Sequence, residues 1–399
     1  MFAQTGIDLK PGTLGKTITG RPDETSQQNM DASKALAQQF LTLQQQIIAL
    51  TGGTGPEAAY AKVGSRDGIV VGVGSAGISV NNRQGSNSAT FANSEEGAQK
   101  ALDFMERAAK DGKPFFLWWN STRMHIFTHL KAESAGKTGL GIYADGMVEH
   151  DGHVGQVLAK LKELGLDENT IIMYSSDNGA ETFTWPDGGT TMFRGEKNTQ
   201  WEGGYRVPTL IKWPGVIKPG TVINDIGAHE DMLTTLVAAA GDKTAKEDLL
   251  KGRKIGKNTY KVHLDGYDLG PALRGEAAWP RREFIYWTDD GSVAALRYDN
   301  IKVTFLEQEA EGLHVWQKPF TELRAPKLTN LRMDPFERAE AENAMGYQRW
   351  YMERMFAIAP AGAYVGQWLQ SFKEFPPRQK PGSFNLDRVM EAVTASSKN

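Results

Sequence analysis

The chain contains no cysteine among its 399 residues. That absence excludes disulfides, thiolate zinc sites, iron–sulfur clusters and a cysteine nucleophile. An excess of one charge is also lacking, because 45 basic residues face 48 acidic ones and the formal net charge is -3. Such a balance excludes a globally basic binder of nucleic acids or membrane surfaces, although it is compatible with a local positive pocket.

Long hydrophobic runs are missing too, since no apolar stretch reaches the roughly 18 residues that span a bilayer. The chain starts with Met1-Phe-Ala-Gln-Thr-Gly. No basic segment precedes an apolar core there, so no secretory signal is visible. We therefore expect a cytoplasmic protein, and a periplasmic location stays open for a full-length relative.

The chain divides into three stretches of different character. Residues 1–94 are polar and rich in turn formers, so we expect an atypical, partly disordered segment with one amphipathic helix, Asp31 to Leu50. Residues 95–275 alternate amphipathic helices with apolar strands. Residues 276–399 hold closely spaced strands and then an extended tail. We predict three corresponding regions: the N-terminal segment, a core and a C-terminal subdomain.

The middle stretch predicts an α/β fold. A helix starting at Ser94 and ending at Gly112 precedes the apolar strand Phe115–Trp119. A second helix around 146–164 precedes another buried strand, Thr170–Ser176. Apolar strands alternating with amphipathic helices favour a mostly parallel sheet flanked by helices on both faces.

The late stretch predicts a smaller antiparallel α+β subdomain. Asp289-Asp290-Gly291 and Asp299-Asn300 have the composition of tight turns. They separate three short strands, which are Glu283–Trp287, Ser292–Tyr298 and Asn300–Leu306. This pattern indicates an antiparallel meander.

A glycine-rich stretch at residues 68–77 has two interpretations. Gly72, Gly74 and Gly77 fit the G-x-G-x-x-G spacing of a dinucleotide-binding loop after an apolar run. The residues from Ile78 onward, Ser-Val-Asn-Asn-Arg-Gln-Gly, cannot open a helix on the last glycine. A glycine-rich strand and loop is therefore favoured over a nucleotide site.

Polar residues follow both buried strands of the core, where open α/β sheets bind their ligands. Asp177 and Asn178 come directly after the second strand and offer a carboxylate and an amide oxygen. These are ligands that calcium or magnesium prefers. The alternative is a simple Asx turn, because Asn178-Gly179 is a common turn dipeptide.

Several other polar residues have both a functional and an ordinary structural interpretation. His125 and His129 have the i, i+4 spacing of zinc ligands, but they lack H-E-x-x-H and follow a strand. His150 and His153 are expected on a helix surface, and Lys197 taken alone is a solvated loop charge. Turn and scaffold roles are expected for the remaining four, which are Glu202, Gly203, Gly204 and Arg206.

Several ordered motifs together resemble the sulfatase family of the alkaline-phosphatase superfamily. They are PFFLWWNSTRMH, VEHDGHVGQVLAKLKELGLDENTIIMYSSDNGAE, FRGEKNTQWEGGYRVPTLIKWPG and HEDMLTTLVAAAG. DGYDLGPALRGE and LTNLRMDPFER resemble the closing segment of the family. The resemblance covers roughly residues 95–399. It implies an alkaline-phosphatase-like fold, here incomplete, and hydrolysis of sulfate esters.

The resemblance also implies roles for four residues. Asp177 and Asn178 match a pair of metal ligands, for Ca2+ or Mg2+. His125 matches the histidine that contacts the sulfate ester and helps the leaving group, and Lys197 matches the lysine that binds a sulfate oxygen. A cation, an ammonium and a histidine can each stabilise the negative charge that a sulfate ester spreads over its oxygens. The implied partner is a small-molecule sulfate ester, with no nucleic acid or membrane.

Other parts of the family pattern are missing from the sequence. Sulfatases use a formylglycine nucleophile made from a Cys or Ser in a C/S-x-P/A-x-R motif, and the chain has neither residue in that context. The early Asp-Asp ligand pair and the Gly-Lys-x-His segment are also absent. Asp289-Asp290 is expected to be a hairpin turn. A truncated or rearranged sulfatase gene accounts for this pattern.

The sequence therefore predicts a sulfuric ester hydrolase of the arylsulfatase type whose turnover is impaired. Without the nucleophile the covalent route has no first step, and two ligands are too few for calcium. One alternative is a non-catalytic remnant that binds an anion or a metal. Another is a phosphate or phosphonate ester hydrolase of the same superfamily.

Overall fold

The computed structural model divides the chain into two units, residues 1–167 and 168–399, and each is described by itself. The residues that the structure describes are 70–75, 94–121, 123–125, 130–182, 187–188, 190–340 and 345–377. The predicted helix at Asp31 to Leu50, His129, Gly77 and the tail from residue 378 lie outside these ranges. The proposed boundaries at residues 94 and 275 therefore remain a prediction.

The first unit contains a strand–helix–strand motif followed by a long helix. Its elements are β1 (Val70–Ser75), α1 (Ser94–Lys110), β2 (Phe115–Asn120) and α2 (Ile142–Glu163). β1 and β2 pair in parallel, with Val70 opposite Phe115 and Ser75 opposite Asn120. α1 packs against β1, β2 and α2. The predicted helix and the strand after it are confirmed.

The helix α1 forms because its apolar residues recur at helical spacing and its end is marked by Gly112. Gly112 has a φ of 63°, a left-handed conformation that favours glycine after a helix. The face predicted from the sequence is the buried one, and it consists of Ala98, Ala101, Leu102 and Met105, extended by Ala108. Burial of this stripe stabilises the helix on the rest of its unit.

Gly72 and Gly74 of the 68–77 stretch lie within a strand rather than in a phosphate-binding turn. Gly72 and Gly74 are inside β1, opposite Leu117 and Trp119 of β2. A dinucleotide loop would need these glycines at the turn that opens a helix, and the next described helix begins only at Ser94. The strand interpretation is confirmed for residues 70–75.

The second unit begins with a short antiparallel pair of strands and a series of small helices. Ile172 of β3 pairs with Lys212 of β4 and Ser175 with Thr209. The described elements up to residue 273 are β3 (Ile172–Ser175), α3 (Glu202–Tyr205), β4 (Thr209–Lys212), α4 (His229–Ala239), α5 (Ala245–Lys251), β5 (Arg253–Ile255), β6 (Asn258–Tyr260) and α6 (Gly270–Leu273).

The second unit also contains a four-stranded antiparallel sheet. Its strands are β7 (Glu283–Trp287), β8 (Val293–Tyr298), β9 (Ile301–Glu307) and β10 (Thr321–Asn330), and they lie in the order β10-β9-β8-β7. The predicted meander is confirmed. Asp289 and Asp290 lie in the exposed turn between β7 and β8, where the amide of Thr288 donates to Ser292 O at 2.9 Å.

One face of this sheet carries the main apolar core. The later helices are α7 (Tyr347–Arg354), α8 (Ile358–Leu369) and α9 (Ser371–Glu374), with a 3₁₀ helix Gly312–Trp316 between β9 and β10 and another at Met355–Ala357. The buried core residues are Ile285, Leu296, Val303, Leu328, Ala361 and Val365. Ala361 and Val365 of α8 thus cover one residue from each strand, and these four residues lie opposite one another on the same face of the sheet.

The described strands support an α/β class without confirming a mostly parallel sheet. β1 and β2 pair in parallel, whereas β3 pairs with β4 antiparallel. A short apolar run indicates that a strand is buried but carries no information on the direction of its neighbour. Among the helices of the described residues, none combines the length and apolar character that crossing a bilayer requires.

Candidate functional site

Asp177 and Asn178 lie in the loop that leaves β3, as predicted from the sequence. The Asp177 side chain is exposed and that of Asn178 is half-buried. Asn178 Nδ2 donates to Gly179 O at 2.8 Å, which leaves its Oδ1 oriented away from that bond as an acceptor. The loop therefore presents one carboxylate and one amide oxygen.

The next residue, Gly179, brings this loop against the 203–204 backbone. Its amide donates to Gly204 O at 2.9 Å. A Cβ at position 179 would lie 1.8 Å from Gly203 O, so a residue with a side chain cannot occupy this position without moving the backbone. The sequence Asp177-Asn178-Gly179 thus combines ligand-type oxygens with a close approach of two segments.

Lys197 lies on the segment that this loop contacts. Its amide donates to Ala180 O at 2.9 Å. The carboxylate of the preceding residue, Glu196, is buried and accepts the amide of Thr182 at 3.0 Å. Together with the Gly179–Gly204 bond, these contacts hold segments 177–182 and 195–204 side by side. The structure therefore brings three of the four predicted site residues onto two adjacent segments.

The turn that carries Lys197 depends on a left-handed glycine and on a threonine. Gly195 has a φ of 78°, which an L side chain rarely adopts. The Thr199 hydroxyl donates to Glu196 O at 2.7 Å, and Asn198 also has a positive φ of 66°. These local bonds explain why Arg194-Gly195-Glu196-Lys197 forms a tight loop rather than continuing a strand.

An aromatic residue from a distant part of the chain lies beside Lys197. Lys197 Nζ is 5.7 Å from the ring centroid of Trp316, at the end of the 3₁₀ helix. Trp316 Nε1 donates to Glu181 Oε1 at 3.2 Å. An ammonium within about 6 Å of an indole ring is attracted by its quadrupole. Sequence analysis missed Trp316, because no local pattern relates it to residues 177–197.

A buried cluster of charges underlies the second half of the same loop. Lys302 is 0% exposed, and its Nζ donates to Gln200 O at 2.7 Å. It also contacts Glu202 Oε1 at 3.2 Å and Glu337 Oε1 at 2.8 Å. The Glu202 amide donates to Glu337 Oε2 at 2.7 Å. One ammonium thus joins two carboxylates that lie far apart in the sequence.

The pKa values of the two carboxylates in this cluster are shifted in opposite directions. Burial opposes ionisation of Glu202, but Lys302, the Tyr286 hydroxyl and Arg206 outweigh it and lower the pKa of Glu202 to about 2. Burial raises the pKa of Glu337, because attraction to Lys302 is offset by repulsion from Glu202. The scaffold role predicted for Glu202 and Arg206 agrees with these contacts.

A polar cavity of about 350 Å³ lies beside the Lys197 loop within the second unit. Glu307, in its wall, is paired with Lys327 at 2.6 Å and approached by Arg194 at 3.8 Å. The Arg194 guanidinium also lies 3.6 Å from the ring centroid of Trp201. The cavity is lined by Arg194, Gly195, Glu196, Thr199, Trp201, Glu307, Gln308, Glu309, Ala310, Glu311 and Lys327.

The serine at the end of β3 forms a contact that sequence reasoning also missed. Ser175 Oγ lies 3.0 Å from His229 Nε2, in the first turn of α4. The same hydroxyl donates to Pro208 O at 2.9 Å. Ser175 Oγ thus lies within hydrogen-bond distance of both a backbone carbonyl and a histidine, and these contacts link β3 to α4.

The fourth predicted residue, His125, belongs to the first unit and is described there by itself. It follows β2 and its side chain is exposed. Two residues earlier, Arg123 pairs with Glu149 of α2 at 2.5 Å, and both side chains are 7% exposed. Met124 packs on α2 at Gly146, where a Cβ would lie 2.7 Å from Met124 Sδ. These buried contacts fix the segment that carries His125.

The prediction that His150 and His153 lie on a helix surface is wrong, since they are only 9% and 5% exposed. The buried positions of α2 are Asp145, Gly146, His150, His153 and Leu161. The His150 ring lies 6.4 Å from that of Trp119. Leu158 of the same helix, although apolar, is 43% exposed.

Burial has a consequence for the charge of both histidines. It lowers the pKa of His150, and repulsion from His153 lowers it further. It also lowers the pKa of His153, against an opposing attraction from Glu149. Both imidazoles are therefore neutral at pH 7.

The donors among the described residues are too few for the metal that the resemblance implies. Asp177 and Asn178 supply two oxygens, whereas calcium takes about six to eight. Within the described residues no group of three or more His, Cys, Asp or Glu side chains is placed to hold a metal ion. The described residues therefore do not form a complete site, and no chemical step is assigned to a metal here.

Comparison with known proteins identifies the family. A sulfatase family model matches residues 29–242, a match that begins well before the motifs found from residue 95 onward. Human arylsulfatase A is 31% identical over 249 residues, covering 59% of this chain and 46% of that protein. Mouse steryl-sulfatase is 33% identical over 209 residues, covering 51% of this chain and 31% of that protein.

Solved structures show the same relationship. The PsFucS1 sulfatase from Pseudoalteromonas sp. aligns with a TM-score of 0.61 and 27% identity, over 72% of this chain and 54% of that one. The chain therefore belongs to the sulfatase family, within the alkaline-phosphatase-like superfamily. It spans about half the length of the relatives that it matches.

Proposed function

We propose that this chain binds the sulfate group of sulfate esters at segments 177–182 and 195–204, and that its reaction is sulfuric ester hydrolysis of the arylsulfatase type. The observation that carries the proposal is the juxtaposition of Asp177, Asn178 and Lys197 by two backbone hydrogen bonds, Lys197 to Ala180 and Gly179 to Gly204. Family membership supports the same chemistry. His125 has the proposed role of assisting the leaving group.

The charges of the site suit a sulfate ester in a specific way. Lys197 supplies an ammonium group for a sulfate oxygen. Asp177 alone would repel an anion, so Asp177 and Asn178 would hold a divalent cation, Ca2+ or Mg2+, that would offset this repulsion and supply positive charge for the sulfate. Because the described residues provide too few ligands, further donors are required before this cation can be held.

Turnover requires an attacking group that the sequence lacks. The sequence has no cysteine and no serine in the context that gives rise to formylglycine. Hydrolysis is therefore expected to be impaired, since positioning and charge stabilisation remain without the attacking group.

A second candidate function is sulfate binding without turnover. The missing formylglycine precursor and the incomplete ligand set among the described residues favour it. A phosphate or phosphonate ester hydrolase remains the other alternative within the superfamily. Matched sulfate and phosphate esters of the same alcohol distinguish the anion that the site prefers.

The test is a comparison of binding and turnover in the unaltered chain and in Lys197→Ala. Calorimetry with inorganic sulfate, with and without Ca2+, measures binding, and release of 4-nitrophenol from 4-nitrophenyl sulfate measures turnover. Lys197→Ala removes a hydrogen bond between charged groups and should weaken sulfate binding by about 1.5–3 kcal/mol, roughly 10- to 150-fold. Lys318→Ala, an exposed lysine of the same unit, is the matched control and should leave binding unchanged.

Three outcomes decide between the candidates. Hydrolysis that Lys197→Ala abolishes supports the hydrolase, and sulfate binding with no detectable hydrolysis supports the binding function. Equal sulfate affinity of Lys197→Ala and the unaltered chain would refute both.

A further inference from the structure

Trp316 lies next to the lysine that the proposed function assigns to sulfate. Its side chain is 44% exposed although the indole is large and apolar. Lys197 Nζ lies 5.7 Å from its ring centroid. An ammonium and a partly open aromatic face therefore occupy one small area of the second unit.

Hydrogen bonds hold these two groups in a fixed relation. The residues on either side of Lys197 both bind the 3₁₀ helix that ends at Trp316. Glu196 Oε1 accepts the amide of Gly312 at 2.8 Å, and Asn198 Nδ2 donates to Val315 O at 2.8 Å. The helix is thus fastened to the Lys197 turn near both of its ends.

A third bond restricts the indole ring itself. Trp316 Nε1 donates to Glu181 Oε1 at 3.2 Å, and Glu181 follows the Asp177–Ala180 loop. The ring is therefore tied to the segment that carries the predicted metal ligands as well as to the Lys197 turn. A ligand that reaches Lys197 meets an aromatic surface whose position is set by contacts on two sides.

We propose that Trp316 is a specificity-determining residue that contacts the ring of the alcohol in the sulfate ester. Lys197 attracts the anionic group, while the indole offers a flat apolar face to the ring of the alcohol. The shared ligand chemistry is a sulfate ester of a ring-bearing alcohol, either a phenol or a sugar. This inference rests on the proposed function, because it takes Lys197 as the sulfate-binding group.

The experiment measures binding rather than turnover, so it does not depend on the missing nucleophile. Calorimetric affinities are determined for inorganic sulfate, 4-nitrophenyl sulfate, D-glucose 6-sulfate and butyl sulfate. The unaltered chain is compared with Trp316→Leu, which removes the flat face, and Trp316→Phe, which keeps a ring. Leu313→Ala, an exposed position on the same 3₁₀ helix, controls for disturbance of that helix.

The expected result is selective for ring-bearing esters. Trp316→Leu should weaken binding of at least one of them by about 2- to 10-fold, the range of a ring–ring contact. Inorganic sulfate and butyl sulfate should change by less than twofold, and Trp316→Phe should keep most of the ring preference. If Trp316→Leu weakens the binding of 4-nitrophenyl sulfate, the alcohol of the ester is a phenol. If it weakens the binding of D-glucose 6-sulfate, the alcohol is a sugar.

Two results would overturn the inference. Equal weakening of all four ligands by Trp316→Leu would show a structural role, and no change in any of them would show no role. Failure of the proposed function is recognised separately, because inorganic sulfate carries no ring. If Lys197→Ala leaves sulfate affinity unchanged, the proposed function fails and this inference fails with it.

Discussion

Replacement of Lys302 by methionine tests whether the buried charge cluster of Lys302, Glu202 and Glu337 stabilises the second unit. The ammonium is fully buried and contacts Gln200 O, Glu202 and Glu337. Methionine keeps most of the volume and removes the charge, so both carboxylates lose their shared partner. Breaking a buried ion pair in this way costs about 3–5 kcal/mol. At about 2–4 °C per kcal/mol for a unit of this size, the melting temperature should fall by roughly 6–20 °C.

The pH dependence of stability gives a second and more specific signature. In the unaltered chain the pKa of Glu202 is lowered to about 2. An acid whose folded-state pKa is depressed contributes stability above its unfolded pKa, near 4.3, and this contribution is lost as pH falls toward 2. In Lys302→Met, burial without the ammonium should raise the pKa of Glu202. The loss in free energy of unfolding caused by Lys302→Met should therefore be smaller at pH 5 than at pH 7.

The assay is urea unfolding followed by circular dichroism at pH 7 and pH 5. Lys318→Met is the matched control, because Lys318 is exposed in the same unit; its free energy of unfolding should change by less than about 0.5 kcal/mol. A Lys302→Met loss below 1 kcal/mol, or a loss that is equal at both pH values, would refute the charge-pairing argument.

Two further predictions concern a close backbone contact and the buried histidines. Gly179→Ala should destabilise the second unit by about 1–3 kcal/mol in urea unfolding, because its Cβ would overlap Gly203 O. Gly152→Ala, with open space around its Cβ, should stabilise by about 0.5–1 kcal/mol, and equal effects would contradict the contact. Because burial lowers the pKa of His150 and His153, α2 should lose hydrogen-exchange protection as pH falls from 7.5 to 5.5; unchanged protection would exclude this linkage.

The helix end and the tight turns could be predicted from the sequence, because they depend on residues that lie close together in the chain. Gly112 and the following Pro114 end α1, and alternating apolar residues with acidic turns define the meander from β7 to β9. The start of α2 was placed about one turn too late, because Ile142 and Tyr143 precede the strongest periodicity and no side chain caps the helix. Strand direction was beyond sequence reasoning, since the apolar character of β3 does not specify an antiparallel neighbour.

The candidate site was only partly predictable. Asp177, Asn178 and Lys197 were found through family motifs, and the structure places them on adjacent segments. Trp316 contributes from a position 119 residues after Lys197, and Lys302 reaches Glu202 across 100 residues. Contacts of this kind depend on the tertiary fold, and no spacing rule in a single sequence reports them.

Charged residues rather than apolar ones define the arrangement of the Lys197 loop. Between Gly195 and Gly204 the chain is polar and glycine-rich, so apolar packing alone would permit many loop conformations. Displacing Glu196 would leave a buried carboxylate without its amide donors, and displacing Glu202 would remove one of the two carboxylates that pair with the buried Lys302. Either displacement costs several kcal/mol. We infer that the buried carboxylates of Glu196 and Glu202 select a single position for Lys197.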